Sequence, residues 1–98
     1  MLDDEKRHLI RDKLLRGVLP LTPPHKVYGG KCSRHHPCDG CNEPIGVGEY
    51  ELETVTAEKV SSFYHLACGH YAAETRGRLL AQHLHTVEQG GFSEQSFS

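Results

Sequence analysis

The chain has 98 residues, 37% of them hydrophobic and 24% charged, with no Trp, four Cys, eight His and a formal charge of −2. One domain fits in that length; a multidomain enzyme, a barrel or a full dinucleotide-binding fold does not. So small an apolar complement needs a staple, and the Cys and His are the candidates.

Met1-Leu2-Asp3-Asp4-Glu5 has no basic segment leading into an apolar run, and no stretch approaches the roughly eighteen apolar residues of a membrane span. The expectation is a cytoplasmic protein with no membrane association, where reducing conditions favour metal ligation over disulfides.

Residues 1–18 read as an N-terminal amphipathic helix. Asp3 or Asp4 caps it, Asp3/Arg7 and Asp12/Arg16 have i,i+4 spacing, and Ile10, Leu14, Leu15 and Val18 share one arc with Arg7 and Arg11. Such a stripe suits a helix docked on its own domain or one that binds a partner. Gly17 and Pro20 end it. Residues 19–37 read as a Pro/Gly-rich basic connector without regular structure, broken by Pro20, Pro23, Pro24, Gly29 and Gly30. Lys26, Lys31 and Arg34, with His25, His35 and His36, make it the most basic stretch.

From Glu49 to Val55 the residues alternate, Glu49, Glu51 and Glu53 on one face and Tyr50 and Leu52 on the other, as in a half-buried strand with an acidic outer face. Thr56-Ala57-Glu58 turns the chain, and Lys59 to Tyr64 returns with Val60, Phe63 and Tyr64. From Leu66 the pattern is helical, with Leu66, Ala73, Leu80 and Leu84 recurring and His70 and Gly77 between them. Gly77 costs about 1 kcal/mol against Ala, and marks a close helix approach or a weak point. Residues 87–98 read as a disordered tail.

Cys38-Asp39-Gly40-Cys41 is a C-x2-C pair, and His65-Leu66-Ala67-Cys68 is an H-x2-C pair. Two such pairs bring four soft or borderline donors to one tetrahedral ion. Gly40 suits a tight knuckle, and His65 and Cys68 share one face of the helix start. Three thiolates and an imidazole complete the tetrahedron, so the expected cofactor is one structural Zn²⁺ with no vacant position. The expected fold class is α+β: a small treble-clef-like zinc finger over 38–86, with knuckle, β-hairpin and C-terminal helix, after an N-terminal helix and an extended connector.

The ligand spacing, with aromatic Tyr64 just before His65, resembles the first half of a LIM finger over residues 38–75. LIM domains continue into a second zinc module, whereas no Cys follows Cys68. The lead-in Leu19-Pro20, Pro23 and Lys26-Val27-Tyr28-Gly29-Gly30 is similar to that of small bacterial proteins carrying one such finger. The resemblance implies a zinc module and brings no activity with it.

Pro37-Cys38-x-x-Cys41 also matches half of a zinc deaminase signature, but that chemistry needs an upstream H-x-E. His25, His35 and His36 are followed two positions later by Val27, Pro37 and Cys38. A thioredoxin-like reading lacks its βαβ unit. The sequence therefore reads as non-enzymatic. Cys32 admits three readings: a free surface thiol, an alternative metal ligand, or a redox-active or dimer-forming thiol. His70 is a candidate to pack behind the metal site, and His83 and His85 are read as surface or supporting residues.

The leading functional expectation is a zinc-stabilised protein-interaction or regulatory module with another protein as partner. Its candidate surfaces are the first helix, the connector and the apolar stripe of the last helix. Nucleic-acid binding through Lys26, Lys31, Arg34, Arg76 and Arg78 is a second reading. It is disfavoured because three thiolates around one Zn²⁺ would leave the chain at −3, with no global positive excess. A thiol-based sensor that loses zinc on oxidation is a third.

Overall fold

A computed structural model describes residues 2–87, with side chains through residue 82. The expected disordered tail, apart from Val87, lies outside the described residues, as do the side chains of His83, Leu84 and His85. The fold is α+β. Helix α1 spans Asp4–Leu15, followed by strands β1 (Lys26–Lys31), β2 (His36–Pro37), β3 (Pro44–Ile45), β4 (Tyr50–Val55) and β5 (Ser61–His65), then helix α2 (Leu66–Val87).

Asp3 caps α1 by accepting the Lys6 N–H at 2.9 Å. At the other end Gly17 adopts φ +78, Val18 N–H donates to the Lys13 carbonyl and Gly17 N–H to that of Leu14. This reversal satisfies the last carbonyls of α1 and turns Leu19 into the core, 3% exposed. Asp12 and Arg16 pair at 3.0 Å as their spacing suggests, while Arg7 pairs with Asp4 in place of Asp3. Ile10 and Leu14 are fully buried and α1 packs on α2, so this helix is docked; Leu15 and Val18, at 57% and 61% exposure, stay outside.

Strands β1, β4 and β5 form one antiparallel sheet in that order, and β2 and β3 pair separately, His36 opposite Ile45. The connector read as irregular therefore contains strands. Lys26 to Lys31 lie opposite Val55 to Tyr50, and the ladder offers Gly29 and Gly30 partners that local propensity does not reveal. Every β1 residue is exposed, because the strand lies at the sheet edge.

The β4–β5 hairpin places Leu52 opposite Tyr64 and Glu51 opposite His65. Its turn is held by Thr56, whose N–H donates to the Val60 carbonyl and whose Oγ1 accepts the Val60 N–H. Tyr64 is buried and Leu52 half-buried against α2, whereas Tyr50, on the face expected to be covered, is 58% exposed, and Val60 is 55% exposed. The face read as acidic and outer is half-covered: the Glu51 side chain is only 17% exposed.

Helix α2 is rotated from the expected stripe. Cys68, Gly69, Ala72, Thr75 and Arg76 are buried, with Leu79 packed beside them, while Leu66, His70, Ala73 and Gly77 are exposed. Cys68 must face His65 and the knuckle, and positions four, seven, eight and eleven residues later follow it inward. Gly77 makes no close approach. Gly69 does: a Cβ there would stand 2.7 Å from Leu52 Cδ2 and 3.3 Å from Tyr64 Cβ. Among the described residues no helix is long and apolar enough to cross a membrane.

Candidate metal centre

The knuckle forms because residues 38–43 close on themselves. Cys38 N–H donates to the Glu43 carbonyl and Asn42 N–H to the Cys38 carbonyl, both at 2.9 Å, and Asn42 takes φ +72. Asn tolerates that left-handed geometry better than most residues. Cys41 N–H points at Cys38 Sγ, 3.5 Å away. Gly40 is buried against Ile10 and Tyr64, with room for a Cβ only at 3.2–3.3 Å from both.

Asp39 fastens the knuckle to β5. Its N–H donates to the Phe63 carbonyl at 2.7 Å, and its carboxylate accepts the Phe63 N–H at 2.8 Å. Two residues on, His65 ends the strand beside the knuckle, and α2 starts at once to deliver Cys68. Lys13 of α1 donates to the Asp39 carbonyl and to Asn42 Oδ1. Neither anchor was singled out from sequence. Asp39 lies inside the C-x2-C motif and could have been, but Lys13 is too distant in the chain to show any local signal.

Cys38, Cys41, His65 and Cys68 converge, one ligand atom from each lying within 4.8 Å of all the others. The three Cys are at most 5% exposed and His65 is half-buried. His65 Nδ1 stands 3.4 Å from Cys41 Sγ and 3.8 Å from Cys68 Sγ, while Nε2 reaches the Pro44 carbonyl at 3.1 Å. A carbonyl only accepts, so it selects the tautomer protonated at Nε2 and leaves the Nδ1 lone pair facing the sulfurs. These four donors could hold a metal ion.

A hydrogen bond from Cys68 holds the Cys38 thiol well below its ordinary value, at about 4, as a thiolate. The same contact, with burial, pushes Cys68 up. Burial also raises Cys41. Three sulfurs in one buried space cannot all ionise without a cation to offset them.

His70 is exposed, so it does not stand behind the centre. Cys32 is 2% exposed, which speaks against the surface-thiol and dimer-forming readings, and it stands outside the four-donor group, which speaks against its being an alternative ligand there. It gathers instead with His36 and Glu51, one ligand atom from each within 4.8 Å of the others. The sequence hides this grouping, because the Glu49–Val55 alternation places Glu51 on an outer acidic face.

Protein-family models, curated proteins and solved structures give no match to the chain.

Proposed function

We propose that this chain is a non-enzymatic cytoplasmic zinc protein. Its Cys38, Cys41, His65 and Cys68 hold one structural Zn²⁺, and the folded module serves as a protein-interaction or regulatory element. The observation that carries the reading is the convergence of three sulfurs and one imidazole nitrogen within 4.8 Å, in a buried setting. Soft thiolate donors favour zinc over magnesium or calcium, and four protein donors fill a tetrahedron. The order of knuckle, β4–β5 hairpin and α2 supports the treble-clef and half-LIM resemblance.

Exposed apolar side chains support an interaction role: Val27 and Tyr28 on β1, Leu15 at the end of α1, and Val18 and Leu21 after it. An edge strand also leaves backbone groups unpaired along one side. The basic residues give weaker support to nucleic-acid binding. Arg76 is buried with Nε donating to the Pro20 carbonyl, Arg78 pairs with Glu74, and Lys31 lies over the Tyr50 ring.

Elemental analysis of purified protein tests the site, with about one zinc surviving dialysis against a moderate chelator. Excess strong chelator should abolish the helical circular dichroism, since finger peptides gain about 10–16 kcal/mol from zinc. A spectrum unchanged after complete zinc removal refutes the structural role. Partner capture that depends on zinc supports the interaction reading; binding to nucleic acid at low salt would replace it.

A further inference from the structure

The Cys32 cluster draws one donor from each of three places. Cys32 follows β1 and is tied to the approach to β4: its N–H donates to the Glu49 carbonyl at 2.8 Å, and the Cys32 carbonyl accepts the Gly48 N–H at 3.0 Å. His36 comes from β2, its ring fixed edge-on against Phe63 with centroids 4.7 Å apart. Glu51 comes from β4. Backbone pairing of His36 with β3 and of Glu51 with β1 and β5 anchors these positions, as the Cys32 hydrogen bonds do, independently of contact among the three donor side chains.

Glu51 Oε1 is buried and has no hydrogen-bond partner, although His36 Nε2 lies 2.7 Å away. The contact has ion-pair distance without hydrogen-bond alignment. With His36 neutral, that buried carboxylate oxygen has no cation beside it, which is costly. Cys32 Sγ approaches the Arg34 carbonyl at 2.7 Å, so a thiol proton there has an acceptor. Thiolate, imidazole and carboxylate are the three zinc-ligand types, gathered here in one place. On one side His36 and Glu51 line a cleft of about 450 Å³, with Arg34 and Asp39 among its other walls.

We propose that Cys32, His36 and Glu51 form a second divalent-metal site of zinc type, with three protein ligands and an exchangeable position on the cleft side. Binding replaces the Cys32 S–H by an S–metal bond and releases that proton to solvent, while His36 binds as neutral imidazole. The fourth position takes water or a small anion, for which Arg34 at the cleft wall supplies a positive charge. Three ligands hold this ion less tightly than four hold the structural one, so it exchanges first.

The test is a Co²⁺ and Zn²⁺ titration of the full chain, with stoichiometry read by elemental analysis and thiolate-to-cobalt absorbance. Wild type should take about two ions, the second with roughly one third of the thiolate absorbance of the first, since it has one sulfur and not three. Cys32→Ser and Glu51→Gln should each cut the stoichiometry to about one and leave the three-thiolate spectrum intact, which also shows that the variant is folded. Should Cys32→Ser lose that spectrum, the near-isosteric Glu51→Gln decides. A wild type that saturates with one ion overturns the second site, as does a second ion retained in Glu51→Gln. Loss of the three-thiolate spectrum in wild type would instead refute the structural centre.

Discussion

The inward face of α2 is set by Cys68, and two glycines of that helix, one inside that face and one beyond its edge, test this. Gly69 is buried and Gly77 exposed. In both, Ala removes the backbone-entropy penalty of glycine in a helix, about 0.8–1 kcal/mol. At position 77 the new methyl meets nothing within 4 Å, so that gain should appear whole. At position 69 the methyl would meet Leu52 Cδ2 at 2.7 Å, Leu52 Cβ at 3.3 Å and Tyr64 Cβ at 3.3 Å. The first contact can relieve itself by a rotamer change, but the two Cβ atoms are fixed to paired strands, and overpacking of this kind costs about 1–3 kcal/mol. Because the propensity gain is common to both variants, their difference isolates the packing contact at about 1–3 kcal/mol. Thermal unfolding at fixed excess zinc reads it: Gly77→Ala should melt about 4–8 °C above wild type, and Gly69→Ala at or below wild type. Equal upward shifts would refute the assigned helix face.

Two further outcomes follow from the buried polar groups. Tyr64 is 1% exposed and its hydroxyl has no hydrogen-bond partner, so Tyr64→Phe should be neutral or stabilising by up to about 1 kcal/mol in denaturant unfolding; a larger loss means the hydroxyl is bonded. Zinc affinity should rise with pH, because every bound sulfur must give up its proton. In an unfolded metal-free chain all three thiols hold protons below their ordinary value of 9.0, which gives a slope near three in log affinity against pH between about 7 and 8. A folded metal-free site keeps Cys38 ionised, since its thiol sits at about 4, and only the raised Cys41 and Cys68 release protons. A slope near two would therefore show that the fold does not depend on metal.

Local signals carried the four-donor grouping and the order of its elements. The paired x2 spacings are a local constraint, and the Glu49–Val55 alternation with its return is a hairpin whatever surrounds it. Three features lay beyond such signals. Strand β1 depends on a partner about twenty to thirty residues downstream, and its two glycines argue against it until β4 is alongside. The rotation of α2 is hidden because its apolar repeat points away from the face that Cys68 sets, although a ligand tolerates less misplacement than a leucine. Glu51 was assigned to solvent because alternation alone shows which residues share a face, and not whether a short strand such as β2 covers that face.

The small core ties the N-terminal helix to the metal. Among the described residues the buried apolar cluster has ten members, and four of them are the cysteines. Ile10 is fully buried, reaching the knuckle at Gly40, and Lys13 on the same helix binds the Asp39 carbonyl. With so few other apolar contacts, docking of α1 and closure of the knuckle amount to one event. Ile10→Ala removes buried methyls and leaves a cavity, at a cost of about 2–5 kcal/mol. If the metal-free chain is unfolded, binding and folding share one free energy, and that cost must appear in the zinc affinity. At 1.4 kcal/mol per tenfold, Ile10→Ala should weaken zinc binding by roughly 30-fold to a few thousand-fold, although residue 10 supplies no ligand. Competition with a chromophoric chelator measures it. An affinity within about threefold of wild type would show α1 resting on a finger that folds without it.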